Sequence, residues 1–178
     1  VFDSSFVNSI GHNGGVFYVS LGSLYLSNSI ISQSKSLGDG GTISAYSPSA
    51  LIISNIFVNG SRAINNGGFL YFEDPNLSPG TISEYRVTGL QISFLTAMNL
   101  EAHNFGGFMM VNSMREDYFS IKNTIVEGSN SSSGTITLQD SCTITVENLT
   151  LKDSKVKNHG TIASLSTESR FLELNPVK

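Results

Sequence analysis

Apolar residues alternate with polar ones in short runs along the whole chain. Leu24 and Leu26, Leu51 and Ile53, Ile92 and Phe94, Phe119 and Ile121, and Ile144 and Val146 form one set. Phe17 and Val19, Ile43 and Ala45, Leu70 and Phe72, Met109 and Val111, and Ile136 and Leu138 form a second. Ile162 opens a sixth member, where Ser164 breaks the pattern. Apolar positions two apart predict strands with one buried face.

The second set is punctuated. Each member begins two residues after a glycine step: Gly14-Gly15, Gly40-Gly41, Gly67-Gly68, Gly106-Gly107, Ser133-Gly134 and His159-Gly160. The second positions lie 26, 27, 39, 27 and 26 residues apart. A period held this closely predicts a repeat architecture. One coil of this length cannot bury its own apolar face, and stacked coils bury it for each other. A β-sandwich also suits short strands and glycine turns, but it requires no constant period. The expectation is an all-β, right-handed parallel β-helix, the hand following from the strand-crossover rule. It has about six coils of 26–27 residues and one loop insertion after coil three, at about 73–89. Residues 1–178 form a single segment. Small polar residues keep step 11 to 13 places before each second glycine: Asp3, Asn28, Asn55, Thr96, Asn123 and Asn148. The last five form a candidate structural ladder, with side chains hydrogen-bonding from coil to coil at a buried turn.

Composition narrows the function classes. Only 13% of residues are charged and the net charge is −4. There is no basic footprint for nucleic acid, and no apolar run reaches the roughly 20 residues of a membrane span. The opening Val1-Phe2-Asp3 already reads as structure, as in a mature product or a slice of a longer chain. Cys142 stands alone, without a disulfide or a cysteine-based metal site, and reads as a small half-buried residue.

The steps Gly14-Gly15-Val16-Phe17-Tyr18-Val19 and Gly67-Gly68-Phe69-Leu70-Tyr71-Phe72 resemble the GGA[ILV] repeat. Phe6-Val7-Asn8-Ser9, Phe57-Val58-Asn59-Gly60 and Leu151-Lys152-Asp153-Ser154 resemble a degenerate FxxN companion. The pair is found in chlamydial polymorphic outer-membrane adhesins and in protist surface proteins with a pectin-lyase-like β-helix. The resemblance implies an extracellular or cell-surface protein used for adhesion or structure, and it implies no catalytic residues.

Few residues carry candidate chemistry. Glu73 and Asp74 on coil three and Glu116 and Asp117 on coil four could form one acidic rim. Such a rim is a solvated loop edge, a Ca²⁺ site or an acid/base pair of a polysaccharide-degrading enzyme. His12, His103 and His159 precede glycine corners at unequal distances, so they form no matched ladder, and no metal or cofactor is expected. Asn59 and Asn130 are the glycosylation candidates among four sequons.

Positions one and three past each glycine should face outward. On coils three and four they hold Phe69, Tyr71, Phe108 and Met110, a patch that something should cover. The inserted loop, with Leu77, Ile82, Tyr85 and Val87, could be a lid. A partner protein, a neighbouring copy or a stacked sugar are the alternatives. Both chain ends fall inside a coil, which fits a slice of a longer β-helix or copies stacked into a filament. The expected function is a non-catalytic structural or adhesive segment. Its expected partners are copies of itself, other surface proteins or glycans, and the alternative is a carbohydrate-binding or polysaccharide-degrading enzyme.

Overall fold

The computed structural model describes residues 1–74, 89–113, 118–140, 143–158, 160–164 and 170–175. Among them every regular element is a strand, and two parallel sheets stack as a β-solenoid of about five turns. The larger sheet runs β1 (Ser5–Val7), β4 (Ser23–Ser36), β6 (Ala50–Ala63), β8 (Gly89–Ala102), β10 (Tyr118–Ser131), β12 (Thr143–Lys152) and β15 (Arg170–Asn175). Short β2 (Ile10–Gly11) and β13 (Lys155–Val156) pair with β4 and β10. The smaller sheet runs β14 (Ile162–Ser164), β11 (Ile136–Asp140), β9 (Met109–Ser113), β7 (Leu70–Asp74), β5 (Ile43–Tyr46) and β3 (Phe17–Ser20).

The expected inward columns lie in register. Phe17 pairs with Ile43, Ile43 with Leu70, Leu70 with Met109, and Met109 with Ile136. Ile43, Leu70, Met109 and Ile136 are wholly buried, as are Phe72, Val111 and Leu138 two positions on. From the opposite wall come Leu51, Leu90 and Phe119, with Ile53, Ile92 and Ile121 beside them. The two walls meet edge to face at Phe72 and Phe119, with ring centroids 5.0 Å apart.

Each 14-residue strand of the larger sheet is three straight sides joined at two left-handed residues. In β4 these are Asn28 (φ 50°) and Gln33 (φ 55°), and in β6 Asn55 (φ 52°) and Gly60 (φ 75°). In β8 they are Phe94 (φ 52°) and Asn99 (φ 54°), and in β10 Asn123 (φ 48°) and Gly128 (φ 67°). A left-handed residue turns the chain and resets the alternation. Leu24 and Leu26 are buried before Asn28, and Ser29 and Ile31 after it. Asn and Gly dominate these places because they tolerate φ > 0 at least cost.

Two expectations for the ladder are corrected here. Asn55 aligns with Phe94 and not with Thr96, because Ser54 pairs with Ser93, Ile56 with Leu95, and Phe57 with Thr96. Buried Leu90 and Ile92 before the corner, and Leu95 and Ala97 after it, fix that phase. The ladder also stands outside the core. Asn28, Asn55 and Asn148 are exposed, so the residue type answers to backbone conformation and not to a buried turn. Asn55 Nδ2 donates to Asn28 Oδ1 at 2.8 Å, and Asn148 Nδ2 to Asn123 Oδ1 at 2.9 Å.

Candidate binding surface

Phe69, Tyr71, Phe108 and Met110 are not a surface patch. Phe69 and Phe108 are fully buried and stacked on each other, with centroids 5.6 Å apart and planes within 7°. The simple alternation fails because two successive N–H groups of each rung donate to one carbonyl of the next. The amides of Thr42 and Ile43 both reach the Phe69 carbonyl, and those of Phe69 and Leu70 both reach the Phe108 carbonyl. The shared carbonyl marks a corner of the rung, where successive side chains such as Phe69 and Leu70 are both buried. Met110 is buried as well. Tyr71 is half-buried, and its hydroxyl donates to Glu73 Oε2 at 3.1 Å. Burial first, and then the negative charges of Glu73 and Asp39, hold its pKa above the ordinary phenol value. The loop expected to cover the patch, with Leu77, Ile82, Tyr85 and Val87, lies outside the described residues.

The acidic rim is only half described. Glu116 and Asp117 lie outside the described residues, as do Cys142 and His159. Asp74 faces inward, is buried, and accepts a hydrogen bond from Ser47 Oγ at 2.9 Å, so it is no rim residue. Glu73 is half-buried and holds the Tyr71 hydroxyl.

Asp39, in the turn before Gly40, has a folded pKa raised above the ordinary 3.8 by burial, against the lowering pull of Asn66. Asn66 donates both its backbone amide (3.1 Å) and Nδ2 (2.8 Å) to Asp39 Oδ1. Just above the ordinary value the native state still holds a proton that the unfolded chain has lost. Stability is therefore expected to fall as pH rises from about 4 through the raised folded value, and then to level. Urea titrations across that window should show the decline in the parent chain and lose it in Asp39→Asn.

One group of exposed apolar side chains lies on the flank formed by the first two sides of β4, β6 and β8. Ile30, Phe57, Thr96 and Ile125 form one outward column. Ile30 is 52%, Phe57 39% and Ile125 40% exposed, and at the corner beside them Phe94 is 63% exposed. Tyr25, 51% exposed, faces out on the other side of the corner. Residues 23–32, 50–59 and 89–98 contain no charged side chain. Ion pairs begin on the next side, at Arg62–Glu101 (3.4 Å), and on the next rung, at Lys122–Glu147 (3.0 Å). An open cleft of about 310 Å³ is lined by Asn28, Ile30, Asn55, Phe57, Phe94 and Thr96 among others.

Sequence reasoning missed Phe94 as a surface residue because it looked for small polar residues at that column. Its spacing was a usable signal: Phe94 stands 13 residues before Gly107, as Asn28 does before Gly41 and Asn55 before Gly68. Of the sequon asparagines, Asn59, Asn130 and Asn148 are exposed, and Asn76 lies outside the described residues. Asn59 Oδ1 accepts from Asn99 Nδ2 at 2.8 Å. No family model, curated protein or solved structure matches the chain.

Proposed function

We propose that the chain is a non-catalytic structural and adhesive β-solenoid segment of an extracellular or cell-surface protein, gripping its partner by the β4–β6–β8 flank. The observation that carries this reading is the uncharged flank on which Tyr25, Ile30, Phe57 and Phe94 stand exposed on adjacent rungs. Interface centres are depleted of charge and enriched in aromatic residues. A hydrogen-bonded stack is also a stiff mount, because every rung is held by its neighbours. The glycine and FxxN-like repeats that resemble surface adhesins point the same way, and assembly of copies into filaments belongs to the same proposal.

The test is retention under flow of beads coated with the chain, on separate polysaccharide-coated and matrix-protein-coated surfaces. A Tyr25→Ser/Phe57→Ser variant is expected to lose retention about tenfold or more while its melting temperature holds, since both side chains are partly solvated. Equal retention of variant and parent on every surface sinks the adhesive flank. Release of new reducing ends from the polysaccharide would move the chain to the enzyme reading.

A further inference from the structure

Phe94 breaks three rules at once. It takes a left-handed conformation (φ 52°) that an aromatic side chain disfavours. It exposes 63% of its surface to water. It also interrupts the asparagine ladder, in which each Nδ2 donates to the Oδ1 of the preceding rung. An asparagine at 94 would receive from Asn123 and donate to Asn55. With phenylalanine there, Asn55 Oδ1 and Asn123 Nδ2 have no hydrogen-bond partner among the described residues. Among the described residues the core beneath is closed by Ile92 and Leu95, and the ring stands outside it. A residue that opposes both backbone and ladder, and faces a cleft, marks a functional position.

We infer that Phe94 and the cleft beside it bind one unit of a neutral glycan, and that the ladder is broken at this rung to hold the ring there. This inference rests on the adhesive reading and names its ligand class. The cleft supplies what a neutral sugar requires. Phe94 and Phe57 offer exposed ring surface to the apolar C–H face of a pyranose. Among the described residues Asn55 Oδ1 has no donor and Asn28 Nδ2 no acceptor at the cleft wall, and Thr96 adds a hydroxyl. The residues that line the cleft include no cation for a carboxylate or sulfate and no carboxylate for an ammonium. The volume suits a small ligand, at the lower end of the range of about 300–1,000 Å³.

The experiment uses the full chain with hexasaccharides of β-glucan, chitin and mannan, and oligogalacturonate as the charged comparison, each titrated by calorimetry and by amide NMR. At least one neutral hexasaccharide should bind and shift Asn28, Asn55 and Thr96, with oligogalacturonate weaker by about tenfold or more. Phe94→Asn should abolish binding yet raise the melting temperature by about 3–8 °C. Phe94→Tyr should keep binding. The combination of gained stability and lost binding is not expected of a merely structural residue. Unchanged binding in Phe94→Asn overturns the site, and so does a melting temperature that falls. If no neutral hexasaccharide binds but light scattering shows a dimer that Phe94→Asn dissolves, the occupant is a second copy. The glycan inference then fails while the adhesive flank stands. If the Tyr25/Phe57 variant also adheres normally, both fail.

Discussion

Gly68→Ala is expected to cost about 4 kcal/mol or more, a large share of the about 5–15 kcal/mol that holds a typical domain together. The two glycines of a Gly-Gly step do different work. Gly67, like Gly14, Gly40 and Gly106, adopts positive φ and folds the turn back on the strand that follows. Gly68 does not; it is the point where rungs touch. A Cβ there would fall on the carbonyl oxygen of Gly107 and press the backbone of Glu101, and Gly41 stands in the same relation to Gly68 and Arg62. These neighbours are backbone atoms and cannot rotate away. They are also tied, since the Gly68 amide donates to the Gly106 carbonyl at 2.9 Å and the Gly41 amide to the Gly67 carbonyl at 2.9 Å. Making room means widening the stack beyond its spacing of about 4.8 Å, which lengthens hydrogen bonds on both sides. Gly89→Ala is the matched control: among the described residues nothing lies within 4 Å of a Cβ built there, so it should change stability by no more than about 0.5 kcal/mol. Paired urea denaturation curves followed by circular dichroism measure both. A Gly68→Ala loss below about 1 kcal/mol would show that the rungs separate far more easily than a tight glycine contact allows.

The same contact explains what could be read from the sequence. The period was legible because steric demand at the glycine step repeats once per rung and admits almost no substitute. The columns led by Ile43 and Leu51 were legible because straight strands preserve alternation. The phase across corners was not. Alternation resets at each left-handed residue, and it doubles where two amides share one carbonyl, as at Phe69 and Leu70. Phe69 and Phe108 therefore passed for surface residues although they belong to the core. Asn28 and Asn55 revealed their column by type, whereas Phe94 hid in it by departing from that type. The candidate surface was illegible for a related reason: Ile30 and Phe57 look like core residues until the corner at Asn28 or Asn55 fixes which way they face. Nor does any single rung contain the surface, which needs side chains 27 and 39 residues apart brought side by side.

Phe108→Ala should cost about 3–5 kcal/mol, the usual range for removing a buried phenylalanine. Had the ring been an exposed patch, the same substitution would change stability by about 0.5 kcal/mol at most and would improve solubility. Two features place the loss near the upper end of the core range. The ring is fully buried and stacks on Phe69, so truncation leaves that partner's face without contact. The surroundings are also poorly able to close the gap. On one side Gly107 and Gly134 fix the spacing of the rungs through the bond from the Gly107 amide to the Gly134 carbonyl (3.0 Å). On the other, the amides of Phe69 and Leu70 both hold the Phe108 carbonyl, at 2.8 and 3.1 Å, so the backbone cannot sink into the cavity without breaking two bonds. A cavity that cannot collapse retains its full cost. Phe108→Leu should recover more than half of the loss, since it refills volume without needing the stack. Denaturant midpoints of the three proteins decide the matter. If Phe108→Ala matches the parent chain, the ring is not in the core, and the shared-carbonyl corner that turns it inward is wrong.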